Sequence, residues 1–315
     1  MGTRRIRRAE WPTIALAALI WGLWLLLTRF HGSLPLWLLV AGGGWTVAWH
    51  ASLLHELIHG HPTRWPAVNR ALGLPPMLLH LPFDRYRAMH LMHHRDHHLT
   101  DPLEDPETQY WTGPAWRGLG PAGRLLVRGM SLLAGRLLVG PLWAMGRFVW
   151  FDAHRAWRGV PGVRAAWAAH LPFTALAALW LTLGCGMSLA TYFACFMLPG
   201  MALMLVRSFA EHRFADAHDH RTAIVERTPV LGVLFLYNNL HAAHHERPGL
   251  AWYRLPAWYA QERERLLAKN GGLVYRGYAE VARRFLLTPH DDSVHPHHAA
   301  APAAAVLYKT GEEFA

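Results

Sequence analysis

Cysteine is nearly missing: Cys185 and Cys195 are the only two in 315 residues, and both stand in an apolar stretch. Two thiols cannot build a disulfide framework, a zinc ribbon or a protein-held iron–sulfur cluster, and they read as small apolar residues. The chain therefore shows no electron-transfer centre of its own. Charge is scarce as well. Asp, Glu, Lys and Arg make up 17% of the chain, against roughly 25% in a soluble domain. Apolar residues make up 52%, with 16 Trp, a residue concentrated at membrane interfaces. The formal charge of +10 comes from arginines beside apolar segments, and no recognised nucleic-acid motif accompanies them. The basic balance thus points to a membrane surface or an acidic protein partner, and no nucleic acid is expected. No small-residue cleavage site follows the basic start, so a cleaved signal is not expected.

Four segments are long enough to cross a bilayer, which takes about 20 apolar residues: residues 11–27, 34–54, 165–183 and 187–206. Links around His31 and Cys185 pair them into two hairpins. Arginines crowd the first residues and the long segments between and after the hairpins, and the links carry only Arg29. The positive-inside rule then places both termini and all long segments in the cytoplasm, with Arg29 voting against. The expected architecture is an all-α integral membrane protein: a basic cytoplasmic segment 1–10, one membrane domain 11–286, and a disordered tail 287–315. Arg128, Arg136, Gly140–Pro141 and Arg147 interrupt the apolar run Leu125–Phe151, which reads as interfacial helix. Thr228–Asn239 is half a span long and is also expected at the interface.

What the chain has in excess is histidine in three clusters: His55-Glu-Leu-Ile-His59, His90-Leu-Met-His93-His94 and His241-Ala-Ala-His244-His245. Spacings of three and four put the rings of each on one helix face, and a continuous helix would bring His97 and His98 to the face of the second. The topology puts all three clusters on the cytoplasmic side. Eight imidazoles exceed what one zinc ion needs, since catalytic zinc takes about three protein ligands; they suit two ions, iron above all where open positions serve oxygen chemistry. The first cluster alone also fits a zinc protease, with Glu56 as general base, but no acidic third ligand stands out. A transporter would hold its ligands near mid-membrane, whereas these lie at span ends.

Together the three clusters resemble the histidine boxes of the membrane fatty acid desaturase superfamily, in order and on the expected side of two hairpins. HELIHGHP, HHLTDPLEDPE and NNLHAAHHERPGLAWYRLP resemble its bacterial branch, and the resemblance covers about residues 11–265. It implies two iron ions (Fe2+/Fe3+), O2, and hydrogen abstraction from an unactivated C–H bond of an acyl-lipid or acyl-thioester substrate. It also implies a ninth ligand, His212, after the fourth span. In some desaturases an Asn one turn earlier meets a metal through water; here Ser208 stands there.

His61, His97 and His98 are open between binding metal and supporting the rings that do. Glu56 and Asn238 are expected beside ligands, with Asn239 a similar amide. Asp96, Asp101, Glu104 and Asp105 either orient ring N–H groups or cap turns in the Pro-rich stretch. Trp11, Trp24, Trp45 and Trp49 either line an acyl tunnel or anchor and pack the helices. The family sometimes fuses a cytochrome b5 domain with a His-Pro-Gly-Gly motif, which this chain lacks, so a separate ferredoxin, rubredoxin or reductase is implied. The same ligands serve desaturation, and hydroxylation, ketolation or epoxidation, so spacing does not separate these outcomes.

Overall fold

A computed structural model describes residues 9–95 and 98–300. Asp96, His97 and the two ends of the chain lie outside the described residues. Helix α1 (Trp11–Arg29) opens with Pro12, whose missing N–H costs nothing in a first turn. Helix α2 (Leu36–Ile58) follows Pro35 and ends at His59, where Gly60 takes a left-handed φ of 89° that closes the helix. Then come α3 (Pro66–Gly73), α4 (Phe83–His93), α5 (Gly113–Gly118), α6 (Pro121–Met130), α7 (Leu133–Leu138) and α8 (Gly140–Trp157). Helix α9 (Val163–Leu179) continues through a π turn to Gly184, and α10 (Leu189–Tyr192) runs through another into α11 (Leu198–Glu211). Short α12 (Leu231–Leu234) and α13 (His241–Glu246) precede α14 (Leu255–Lys269) and α15 (Tyr278–Phe285). Strands β1 (Ile224–Val225) and β2 (Val274–Tyr275) pair in parallel, Ile224 opposite Val274.

Among the described residues three helical stretches are long and apolar enough to cross a membrane: Trp11–Arg29, Val163–Gly184 and Leu189–Glu211. Only 33%, 17% and 33% of their apolar windows is buried inside the protein, and Leu19, Leu26, Leu171, Leu176 and Leu183 face outward. Apolar surface on that scale fits a membrane. The expected second span, α2, is as long at 23 residues but does not reach the same hydropathy. The reason is its place. From Thr46 to Ile58 every residue but Trp49 is buried, so protein covers it and polar His50, His55 and Glu56 are tolerated.

The helices meet at both ends. Glu10, at the start of α1, donates its backbone N–H to the Pro62 carbonyl at 3.0 Å and accepts from His61 Nδ1 at 2.8 Å. At the far end Trp180 Nε1 donates to Thr28 Oγ1 at 3.1 Å, and Trp24 Nε1 to the Tyr192 hydroxyl at 3.0 Å. In between, α2 and α11 approach through Gly43 and Gly44. A Cβ on Gly43 would stand 2.7 Å from the Cys195 carbonyl, and one on Gly44 2.8 Å from Pro199. Small residues at such a contact let backbones pack closely in a membrane, and these two helices carry His55 and lead into His212.

The interfacial run expected at Leu125–Phe151 is divided into α6, α7 and α8, with breaks at Ser131–Leu132 and Val139. Two expectations need correction. Thr228–Asn239 is folded inside: Leu234 and Phe235 are fully buried in a cluster with Ala48, Phe209 and Tyr275, so its apolar content serves the core. The tail expected to be disordered from 287 is ordered and packed as far as residue 300. Trp111 N–H donates to the Ser293 carbonyl and His295 N–H to the Trp111 carbonyl, while His290 Nε2 stands 3.0 Å from the Tyr275 hydroxyl, both residues buried. Buried partners on β2 and beside α5 supply what the segment's own polar composition does not.

Candidate metal centre

The ends of α2 and α11, helix α4 and helix α13 bring nine imidazoles together in two groups: His55, His59, His90, His94 and His244, and His93, His212, His241 and His245. Within each group one ligand atom per residue lies within 4.8 Å of every other. The groups abut: His94 of the first stacks on His245 of the second, ring centroids 4.2 Å apart and planes 18° apart. These are the eight box histidines together with His212.

The Nδ1 partners assign the ring tautomers. His93 Nδ1 donates to Asp105 Oδ1 at 2.9 Å, His212 Nδ1 to the Arg221 carbonyl at 3.2 Å, and His241 Nδ1 to Asn238 Oδ1 at 3.1 Å. Asn238 Nδ2 donates to Glu211 Oε1 at 3.3 Å, which fixes the orientation of that amide. Each of the three rings therefore turns an Nε2 lone pair inward. Yet Nε2 of His212 stands 3.0 Å from that of His93 and 2.9 Å from that of His241. A proton can bridge only one of these contacts. Burial opposes a charge on His93, but Asp105 and Glu107 outweigh it and push the pKa up to about 9. A metal cation satisfies all three lone pairs at once.

The spacings also say what kind of ion fits. In the first group Nε2 of His59 is 3.0 Å from that of His90, and Nε2 of His244 is 3.1 Å from that of His94. With metal–nitrogen bonds of about 2.1 Å, nitrogens about 3.0 Å apart subtend about 90°, whereas tetrahedral zinc sets them about 3.4 Å apart. Five rings in one group already exceed a tetrahedral shell. Burial lowers His59 to about 2 and His212 to about 3, and holds His241, His244 and His245 well below the ordinary histidine value. These five rings are thus neutral near pH 7, the form that ligates metal, while His93 gives up a proton when it binds one.

Around the rings the carboxylates are selective. Asp105, buried, takes His93 through Oδ1 and the Thr100 N–H through Oδ2 at 2.9 Å, and Glu107 takes His90 Nδ1 at 2.9 Å. Of the acids of the Pro-rich stretch, Asp105 hydrogen-bonds a clustered ring, whereas Asp101 caps Leu103 and contacts His298, and Glu104 faces His98 at the surface. Glu107 and Glu211 were missed. Their signal was adjacency: Glu107 ends the same acidic Pro-rich stretch, and Glu211 precedes His212. Asn238 sits between the groups, its Nδ2 3.4 Å from His55 Nε2, while Asn239 Nδ2 donates to the Val225 carbonyl.

Three candidates fall elsewhere. His61 turns Nδ1 to Glu10 at 2.8 Å, because Gly60 ends α2 and reverses the chain. His98 is exposed beside Glu104, because α4 stops at His93 and the continuous helix expected through His98 does not form; His97 lies outside the described residues. Glu56 directs Oε2 to the Trp252 N–H at 3.1 Å and keeps Oε1 3.9 Å from His55 Nδ1.

Two cavities flank the centre. One of about 360 Å3 has an apolar wall that includes Leu81, Phe148, Met201 and Met204, and it reaches Asp105, Glu107 and Ser208. Trp143 lines it; the four tryptophans considered for a tunnel do not. Trp24 and Trp49 instead donate to Tyr192 and to the Val233 carbonyl, Trp45 packs edge-on against Trp49, and Trp11 is exposed. The other cavity, about 180 Å3, is lined mainly by residues with polar side chains and reaches His94 and His245 between Lys269 and Asp219.

Apolar spans capped by paired imidazole groups define a membrane-associated protein with a candidate dinuclear metal centre. The fatty acid desaturase profile matches residues 31–279, a range that takes in all nine rings and most of the chain. The chain belongs to the fatty acid desaturase family, and is by that membership an oxidoreductase. Comparison with curated proteins found no match.

Proposed function

We propose that this protein is an oxygen-dependent di-iron desaturase of the membrane that introduces a double bond into an acyl chain. The observation that carries the reading is the pair of abutting imidazole groups, with lone pairs turned inward, at the ends of long apolar helices. Iron held there would supply, with O2 and two electrons from outside, the power to oxidise an unactivated C–H bond.

The chain's own residues hold and orient. His55, His59, His90, His94 and His244 would bind one ion, and His93, His212, His241 and His245 the other. Asp105, Glu107, Asn238 and the Arg221 carbonyl fix the tautomers of four of these rings. We take α2 as the fourth span, since 23 residues at about 1.5 Å each reach across about 30 Å of hydrocarbon. Both hairpins then leave the nine rings on one side, and the arginine distribution favours the cytoplasm, in a bacterial inner membrane. An acyl chain fits the 360 Å3 cavity, whose apolar wall keeps water away. The polar cleft at His94 and His245 suits a separate ferredoxin, rubredoxin or reductase. A metalloprotease is disfavoured, because Glu56 is engaged with the Trp252 backbone.

The test is mass spectrometry of total lipids from aerated cells expressing the protein, beside a His244→Ala control. Acyl chains lighter by two hydrogens, absent in the control, are the expected result. Chains heavier by one oxygen would replace the desaturase reading with a hydroxylase or epoxidase on the same ligands.

A further inference from the structure

At the large cavity one buried arginine lacks the partner that a buried cation requires, and a second, half-buried arginine has no acid to pair with among the described residues. Arg136 on α7 is 6% exposed; its Nε donates to the Met130 carbonyl at 2.6 Å, and its buried Nη1 has no partner. Arg147 on α8 is half-buried beside aromatic rings, its guanidinium 5.7, 5.8 and 5.7 Å from the centroids of Trp111, Trp143 and Phe151. Both line the 360 Å3 cavity. Among the described residues neither forms a salt bridge.

Their environment makes this costly. Burial, and then the like charge of Arg147, pushes Arg136 down to about 10, so it remains a cation near pH 7 and the two repel. Ring faces offset part of the charge but accept little from guanidinium N–H donors, which are five per arginine and fixed in a fork. Buried charges are ordinarily paired, and the nearby acids do not serve: Asp105 and Glu107 are bound to His93 and His90. Arg155, also at the cavity, pairs with Asp152. What is missing is an anion in the cavity.

We propose that Arg136 and Arg147 form an anion subsite, and that the substrate is an acidic amphiphile whose carboxylate or phosphate lies inside the cavity against them. Its chain runs along the apolar wall, and a neutral hydrocarbon is not the substrate. Arg136 stands where the large cavity adjoins a third, of about 80 Å3, that reaches His212, and Asp105, Glu107 and Ser208 line both. The acidic group is therefore bound close to the carboxylates that hold His93 and His90. This rests on reading the cavity as the substrate site.

The test uses the purified full chain with its metals in nonionic detergent. Binding of tritiated hexadecanoate, hexadecyl phosphate and hexadecanol is measured one at a time by scintillation proximity. At least one acid is expected to bind roughly tenfold or more tighter than hexadecanol, and the tighter acid tells a carboxylate source from a phosphate one. Arg147→Gln should abolish the preference and Arg147→Lys should keep part of it, with metal content unchanged as the control for folding. Arg136→Gln should act like Arg147→Gln; if it does not fold, the wild-type comparison and the Arg147 pair still decide. Equal binding of hexadecanol, or a full preference in Arg147→Gln, overturns the subsite. Binding requires neither O2 nor turnover, so a negative lipid analysis would sink the desaturase reading and leave this result standing.

Discussion

His93 shows how much one acid does for one ring. Asp105 accepts from its Nδ1, takes the Thr100 N–H, and with Glu107 raises its pKa to about 9 against the effect of burial. A metal needs the unprotonated Nε2, so below about pH 9 a proton competes for this ring. Metal affinity at the His93 group should therefore rise from pH 7 to 9 and level off above, with proton release on loading in weak buffer. Asp105→Asn removes the charge, and support of this kind is worth about 10–100-fold in metal affinity. Dialysed Asp105→Asn should retain nearer one metal than two by elemental analysis, and its pH slope should flatten; two tightly held metals would contradict the assignment. At this scale the sequence was informative about ligands and poor about supports. Histidine spacing is periodic and names the box residues. Glu107 and Glu211 carry no period, and they reach their rings only because a Pro-rich turn and the end of α11 happen to fold against them.

Among the elements, α2 and α11 set the site, and their approach through Gly43 and Gly44 leaves no room for side chains. Gly44→Leu should cost at least about 1–3 kcal/mol by overpacking, read as a lower unfolding midpoint in detergent with loss of bound metal. A second prediction concerns the segment after α15. Its backbone bonds to Trp111 and the contact of His290 with Tyr275 mean that a chain ended at Leu286 should unfold at lower temperature. An unchanged midpoint would show that those contacts contribute nothing. The sequence concealed both facts for one reason. Apolarity reports what a helix needs when lipid surrounds it, so the segments of α1, α2, α9 and α11 were all legible, but not that protein wraps the second half of α2 or that a polar tail finds buried partners. Helix α4 was misread for the opposite reason: histidines recur at helical spacing through His98, but the helix that would carry them stops at His93.

Across the whole molecule, the centre is also part of what holds the fold together. Lone pairs that face one another at 2.9–3.0 Å are stabilised by a cation, so metal binding adds to folding stability by linkage. Stripping the metals with a strong chelator should lower the unfolding midpoint and loosen α13 and the end of α4 in hydrogen exchange. Fe2+ should restore both, and an unchanged midpoint would mean that the centre is indifferent to metal.

The membership of the two groups has a consequence for how a cell makes this protein. The first group takes four rings from the N-terminal half and waits for His244; the second has only His93 from that half and waits for His212, His241 and His245. A chain emerging from the ribosome N-terminus first completes neither group until residue 245 has emerged and every span has been threaded. Before residue 212 has emerged the first group lacks one ring and the second lacks three. A fully enclosed, redox-active metal thus becomes possible only at the last step of assembly, after the membrane domain has been built around the place that receives it.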